Sequence, residues 1–212
     1  LIVITRLNGV GDSGLFSFAM SLSVVFWAIS LWGGRTYQVS DVKKEFSSGD
    51  YIVVRFISSL IVAVFSISFC ILSGYDLIKT ELIMVLASFK ILESIADSMY
   101  GVLQIHNKLY IVGISLTMKS VFGFIIFAIV DILTKNIVHG ALSIFIVNIA
   151  VVIFYDIPWM KHVESVGLTK KNIMQAEKIM KKTAEVFVIV FLTMFSLNIP
   201  RYFLDKYHYD QI

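Results

Sequence analysis

Six blocks of predominantly apolar residues, each long enough to cross a lipid bilayer as a helix, constrain this chain more than any other feature. They are Leu15–Gly33, Tyr51–Ser73, Leu82–Gln104, Tyr110–Leu133, Ile137–Ile157 and Thr183–Leu204. A hydrocarbon core about 30 Å thick needs about 20 residues of helix at about 1.5 Å each. None of the blocks alternates polar with apolar, and each is about twice the length of a barrel strand. The expected fold is therefore all-α, a polytopic transmembrane helix bundle. Composition agrees: 58% of the 212 residues are hydrophobic and 16% charged, too little charge to cover a soluble domain of this size. The single cysteine, Cys70, excludes an internal disulfide and reads as a small packing residue.

The chain opens on Leu1-Ile2-Val3-Ile4, which reads as the last turn of a spanning helix, and closes on Tyr209-Asp210-Gln211-Ile212 without a terminating feature. A piece of a longer protein is expected. Asn8–Gly14 is rich in turn formers and reads as the link between the first helix and the second.

Lysine and arginine set an orientation. Arg35, Lys43, Lys44, Lys108, Lys161, Lys170, Lys171, Lys178, Lys181 and Lys182 fall on one side of the bundle, and Arg6, Lys79, Lys135, Arg201 and Lys206 on the other. Ten against five places loops 34–50, 105–109 and 158–182 in the cytoplasm. The long loop 158–182 carries a helical pattern from Lys170, with Ile173, Ala176, Ile179 and Met180 on one side and lysines on the other. Two readings stay open for it: a helix lying on an anionic membrane surface, or a solvated linker.

The block Leu82–Gln104 is the unusual one. Lys90, Glu93, Ser94, Asp97, Gly101 and Gln104 fall within an arc of roughly 100° on a helix. Charge at the bilayer centre costs at least about 2.5–3.5 kcal/mol, so such residues face protein or water. Glu93 and Asp97, one turn apart, repel each other, which calls for Lys90, Lys119 or another cation nearby. Lys119, Arg55 and Asn148 lie inside three further blocks, although Arg55 sits near enough to an end to snorkel. A polar-lined cavity is favoured over structural glue. Nucleotide-, metal- and hydrolase-type motifs are missing from the sequence, and His106, His139, His162 and His208 are scattered among loops. The chain reads as a non-enzyme that needs no cofactor, and its basic residues lack the aromatic platforms of a nucleic-acid binder.

Several phrases resemble the polysaccharide-repeat (Wzx-type) flippases of the multidrug/oligosaccharidyl-lipid/polysaccharide exporter superfamily. They include Gly14-Leu15-Phe16-Ser17-Phe18-Ala19, Gly34-Arg35-Thr36-Tyr37-Gln38-Val39-Ser40-Asp41 and Asp50-Tyr51 with Arg55. The others are Glu93-Ser94-Ile95-Ala96-Asp97, Tyr100-Gly101 with Gln104, Gly113-Ile114-Ser115, Tyr155-Asp156 and Asn198-Ile199-Pro200-Arg201-Tyr202. The resemblance implies a transporter of 12 to 14 helices in two lobes, residing in a bacterial cytoplasmic membrane. Residues 1–157 would belong to the first lobe, 158–182 to a basic linker, and 183–212 to the opening helix of the second lobe. It implies flipping of undecaprenyl-pyrophosphate-linked oligosaccharide for cell-surface polysaccharides such as O-antigen or capsule, alongside polymerase or assembly partners. Within it, Arg35, Arg55, Lys90, Lys119 and Arg201 are the candidate substrate-binding cations. Glu93, Asp97, Gln104 and Asn148 are the candidate cavity and ion-coupling residues. Arg35, Arg55 and Lys119 are expected to gather at one mouth, with Arg201 near the other. The alternatives are a cation-coupled multidrug antiporter of the same superfamily and a membrane-embedded glycan polymerase.

Overall fold

A computed structural model describes residues 1–167 and 169–208, with side chains to residue 203. Lys206, His208 (as side chains) and the closing Tyr209–Ile212 lie outside the described residues. The helices are α1 (Ile2–Asn8), α2 (Val10–Leu31), α3 (Gly34–Ser40), α4 (Ser48–Ser73), α5 (Leu77–Ile105), α6 (Leu109–Thr134), α7 (Ile137–Val151), α8 (Ile157–Val163), α9 (Lys170–Lys182) and α10 (Ala184–His208). No strand occurs among the described residues. A single π-helical turn, Val152–Asp156, joins α7 to α8.

Five helical stretches are long and apolar enough to cross a membrane: Val10–Ser40, Ser48–Ser73, Leu109–Thr134, Ile137–Val163 and Ala184–Phe203. The chain is a multi-pass membrane protein by this measure. Its outward surfaces fit: along α4, Leu60 is 67% and Ile71 73% exposed, apolar side chains that water would disfavour and lipid would not. The remaining expected span lies in α5, which is 29 residues long but too charged to count by composition alone. Its position explains the tolerance. α5 packs against α2, α4, α6 and α7, so its charges meet protein on most sides. Leu103 and Met99, on the side of α5 away from the polar arc, are buried against neighbouring helices as well.

Three local departures from expectation have physical reasons. The turn formers of Asn8–Gly14 do not make a loop: only Gly9, at φ 96°, breaks the chain, and α2 starts at once with Asp12 in its first turn, where a carboxylate suits the helix dipole. Loop 34–50 begins as helix α3, because α2 is interrupted by two successive left-handed residues, Trp32 (φ 45°) and Gly33 (φ 63°). Trp32 is held there by its indole, which donates to the Met180 carbonyl at 3.1 Å and stacks on Phe187 at 4.1 Å. A Cβ on residue 33 would come within 2.8 Å of Val186 Cγ1, so glycine is required by both conformation and space. Lastly, residues 158–163 extend the preceding span as α8, and among the described residues of the loop 164–167 and 169 are non-helical.

α9 is amphipathic as expected, but its apolar face is occupied. Ala176 and Ile179 are fully buried in a cluster with Phe46, Tyr51 and Val54. Asn172 Nδ2 donates to Asp50 Oδ1 at 2.7 Å, in the first turn of α4. The helix is thus neither a free linker nor a cylinder resting its whole apolar stripe on lipid. It is a strap across the basic end of the bundle, leaving Ile173 and Met174 exposed.

Candidate functional site

The break in α2 creates the chemistry around it. A helix end leaves carbonyl oxygens without intrahelical donors, and here those of Ser30 and Leu31 point into the bundle. Arg55 on α4 donates Nη1 to both, at 3.0 Å to Ser30, and Ser58 Oγ adds a 2.7 Å bond to Ser30. Arg55 is 2% exposed. It does not snorkel; it reaches inward to cap α2. Beside it the hydroxyls of Ser30, Ser59 and Ser94 bond one another, all buried, and draw α2, α4 and α5 close together.

Arg55 Nη2 then meets Asp97 Oδ2 on α5 at 3.0 Å. The other carboxylate oxygen of Asp97 accepts from Arg35 Nη1 on α3, also at 3.0 Å. Arg35 completes its contacts on Gln104 Oε1, with Nη2 at 2.9 Å and Nε at 3.2 Å. One carboxylate is shared by two guanidinium groups, so a unit of positive charge is left over. The two arginines differ in setting: the Arg35 side chain is 30% exposed and that of Arg55 3%. Between Asp97 and Gln104, Gly101 leaves room for the amide of Gln38, which a Cβ would overlap. The Arg35–Gln38 phrase of α3 and the Asp97–Gln104 phrase of α5 therefore interlock face to face.

Glu93 does not lean on the same cations. It pairs with Lys90 at 2.6 Å, one turn back on α5, while the Lys90 ammonium lies 5.2 Å from the Trp27 ring centroid. The i,i+4 repulsion of Glu93 and Asp97 is thus relieved by separate partners.

Lys119 departs from expectation most. It joins neither the two arginines nor Glu93 and Asp97; its ammonium is 2.6 Å from Asp156 Oδ2 and 2.6 Å from the Tyr100 hydroxyl. Asp156 is completely buried, and Ser115 Oγ lies 2.9 Å from the same Tyr100 hydroxyl. The three-cation mouth expected from the sequence accordingly divides into two clusters. Tyr100 separates them, with Arg35 6.0 Å from its ring centroid on one side and Lys119 5.1 Å on the other. Asp156 was present in the sequence only as part of a phrase. The signal that could have found it is Pro158, whose ring disfavours the regular α-helical bond to residue 154 and which follows the π turn carrying Asp156.

Arg201 and Asn148 stand apart. Arg201 Nη1 donates to Ser21 Oγ at 2.8 Å, some nine residues of α2, or about 14 Å, from the Arg55 contact. Asn148 is buried, with Nδ2 on the Ile144 carbonyl at 2.9 Å. It lines, with Glu93, Lys119 and Ser120, a cavity of about 770 Å³ between α1, α2, α5, α6 and α7. Of the described histidine side chains, that of His106 has Nε2 3.8 Å from Glu164 Oε2, and those of His139 and His162 are exposed. Among the described residues no set of side chains is arranged to hold a metal. Comparison with family models, with curated proteins and with solved structures returns no match for this chain.

Proposed function

We propose that the chain forms part of a transporter that flips undecaprenyl-pyrophosphate-linked oligosaccharide across a bacterial cytoplasmic membrane by alternating access. The basic end faces the cytoplasm, and the lipid-linked substrate enters there. The observation that carries the reading is the Arg35–Asp97–Arg55 cluster. It holds excess positive charge on membrane helices, and one of its arginines is partly open. A pyrophosphate cannot enter hydrocarbon without cations and donors to replace its water. Arg35 is the residue suited to meet it, because its partners are side-chain acceptors that phosphate oxygens can replace. Arg55 is committed to the α2 carbonyls and holds the cluster in place. A multidrug antiporter moving organic cations would call for a net acidic site; here four embedded cations meet three carboxylates in their ion pairs.

The test is substitution at constant charge. Arg35→Lys keeps the charge but loses the fork that grips two oxygens at once. The expected outcome is at least about a tenfold fall in delivery of lipid-linked repeat units to the outer leaflet, equivalent to about 1.4 kcal/mol, with unchanged protein level in the membrane. Normal flipping by this variant removes Arg35 from substrate capture.

A further inference from the structure

A groove of about 500 Å³ lies between α2, α4 and α10, and no member of either ion-pair cluster lines it. Its walls are Phe26 on α2, Phe65 and Phe69 on α4, and Phe191 and Phe195 on α10. Phe26 packs edge-on against Phe65 and Phe69, at 5.7 and 5.9 Å between ring centroids, and Phe191 stacks on Phe195 at 5.8 Å. Ser21 and Asn198 bring polar groups to one end. Both already have partners: Ser21 Oγ donates to the Ser17 carbonyl at 2.7 Å, and Asn198 Nδ2 to the Met194 carbonyl at 2.8 Å.

Arg201 stands at that end. Its Nη1 donates to Ser21 Oγ at 2.8 Å, it is exposed, and no carboxylate among the described residues pairs with it. A guanidinium has five N–H donors, so Arg201 has donors to spare. Its neighbour Tyr202 marks the depth. Tyr202 stacks on Phe18 at 6.4 Å, and Phe18 meets Tyr75 at 6.0 Å in the turn between α4 and α5. Arg201 is therefore near the bilayer surface opposite the basic end. Phe191 lies ten residues back along α10, about 15 Å deeper. Phe187, one turn further, is stacked on Trp32 at 4.1 Å and is no longer part of the lining.

We propose that this groove binds one glycerophospholipid of the leaflet opposite the basic end, with an acyl chain among the phenylalanines and the phosphate on Arg201. Three features favour that occupant. The groove is about 15 Å deep, half of the hydrocarbon core, which suits a chain of one leaflet and not a spanning helix about 30 Å long. It is apolar along its length and cationic at its surface end, the complement of an anionic amphiphile. Its serine and asparagine are already hydrogen-bonded, which leaves little to hold a carbohydrate. The inference is independent of the transport reading, because a bound membrane lipid needs no substrate and its test does not measure flipping.

Phosphatidylglycerol with a photoreactive diazirine midway along one acyl chain is added to the purified protein in detergent, and the labelled residues are mapped by mass spectrometry. Label is expected inside the groove, at Phe191, Phe195 or Val25. Unlabelled phosphatidylglycerol should displace the probe, and diacylglycerol with the same chains, which lacks the phosphate, should not. Arg201→Gln should raise the lipid concentration for half-maximal labelling about tenfold, the scale of one lost charged hydrogen bond. Arg201→Lys keeps the charge and should raise it less. Both variants should keep the parent's Tm, because Arg201 is exposed; the competition on the parent needs no variant and decides alone if either loses its fold. No label in the groove, equal competition by diacylglycerol, or unchanged affinity in a folded Arg201→Gln each overturns the proposal. So does displacement by undecaprenyl phosphate at concentrations where phosphatidylglycerol does not compete, which would assign the groove to the carrier lipid.

Discussion

Two ion-pair clusters flank Tyr100, and they are built to opposite plans. On one side Asp97 divides its oxygens between Arg35 and Arg55, and the edge of the cluster is open. On the other Asp156 concentrates its contacts on one oxygen, Oδ2, which receives Lys119 and the Tyr100 hydroxyl, and exposure is 7% for the lysine side chain and zero for the aspartate. The open cluster has excess charge and exchangeable partners; the closed one is balanced and sealed. The difference separates charges that can serve a ligand from charges that hold α5, α6 and the π-helical turn after α7 in register.

The largest effect is expected where the seal is broken from one side. Asp156→Ala leaves the Lys119 ammonium buried with the Tyr100 hydroxyl as its remaining hydrogen-bond partner, and losing one member of a buried pair costs about 3–5 kcal/mol. Membrane-inserted protein should fall sharply, with a lower unfolding temperature in detergent. The double variant Lys119→Met, Asp156→Leu removes both charges and should recover most of that loss, because the desolvation penalty disappears with the attraction. If the proposed flipping is unchanged in the double variant, the closed cluster is structural. A stable double variant that does not flip would give Lys119 and Asp156 a role in transport and erase the contrast.

Next in size is the arginine pair. Arg55→Lys retains charge toward Asp97 but cannot also reach the Ser30 and Leu31 carbonyls in two directions, so those carbonyls lose a charged donor. A loss of about 1.5–3 kcal/mol is expected, measured as reduced thermal stability. Arg35→Lys should leave stability nearly unchanged and damage flipping. Equal behaviour of the two variants in both assays would mean that the open and buried arginines do the same job.

The length of the apolar blocks made the helical membrane fold legible, and the polar arc of Leu82–Gln104 lies on the helix that carries Asp97 and Gln104 of the arginine cluster. Asp97, Arg35, Arg55 and Gln104 do come together. What pattern could not reveal is the break at Trp32–Gly33. Tryptophan has no preference for a left-handed backbone, and the break depends on Met180 and Phe187, some 150 residues away. The carbonyl partners of Arg55 exist only because of that break, so its inward reach could not be told from snorkelling. The partner of Lys119 stayed hidden because Asp156 sits at the end of a block, where a carboxylate reads as interfacial. α9 shows the same limit: its periodicity gave an apolar face, and only tertiary packing decided that α4 would cover it.

The smallest effect is expected at Lys90–Glu93, which lies between the two plans. The pair is one turn long on a single helix, its side chains are 15% and 26% exposed, and Glu93 borders the 770 Å³ cavity. Glu93→Gln keeps a hydrogen-bond acceptor for Lys90, whose ammonium also retains the Trp27 and Phe89 rings at 5.2 and 4.9 Å. The stability change should therefore be about 1 kcal/mol or less, the scale of one exposed ion pair or cation–π contact. Flipping should persist, because neither residue touches Arg35 or Asp97. Asp97→Asn, by contrast, weakens the grip on both arginines and should lower flipping several-fold while the protein still inserts. If Glu93→Gln stops flipping while Asp97→Asn is tolerated, the working charge lies in the cavity beside α1 and not at the α2–α3 break.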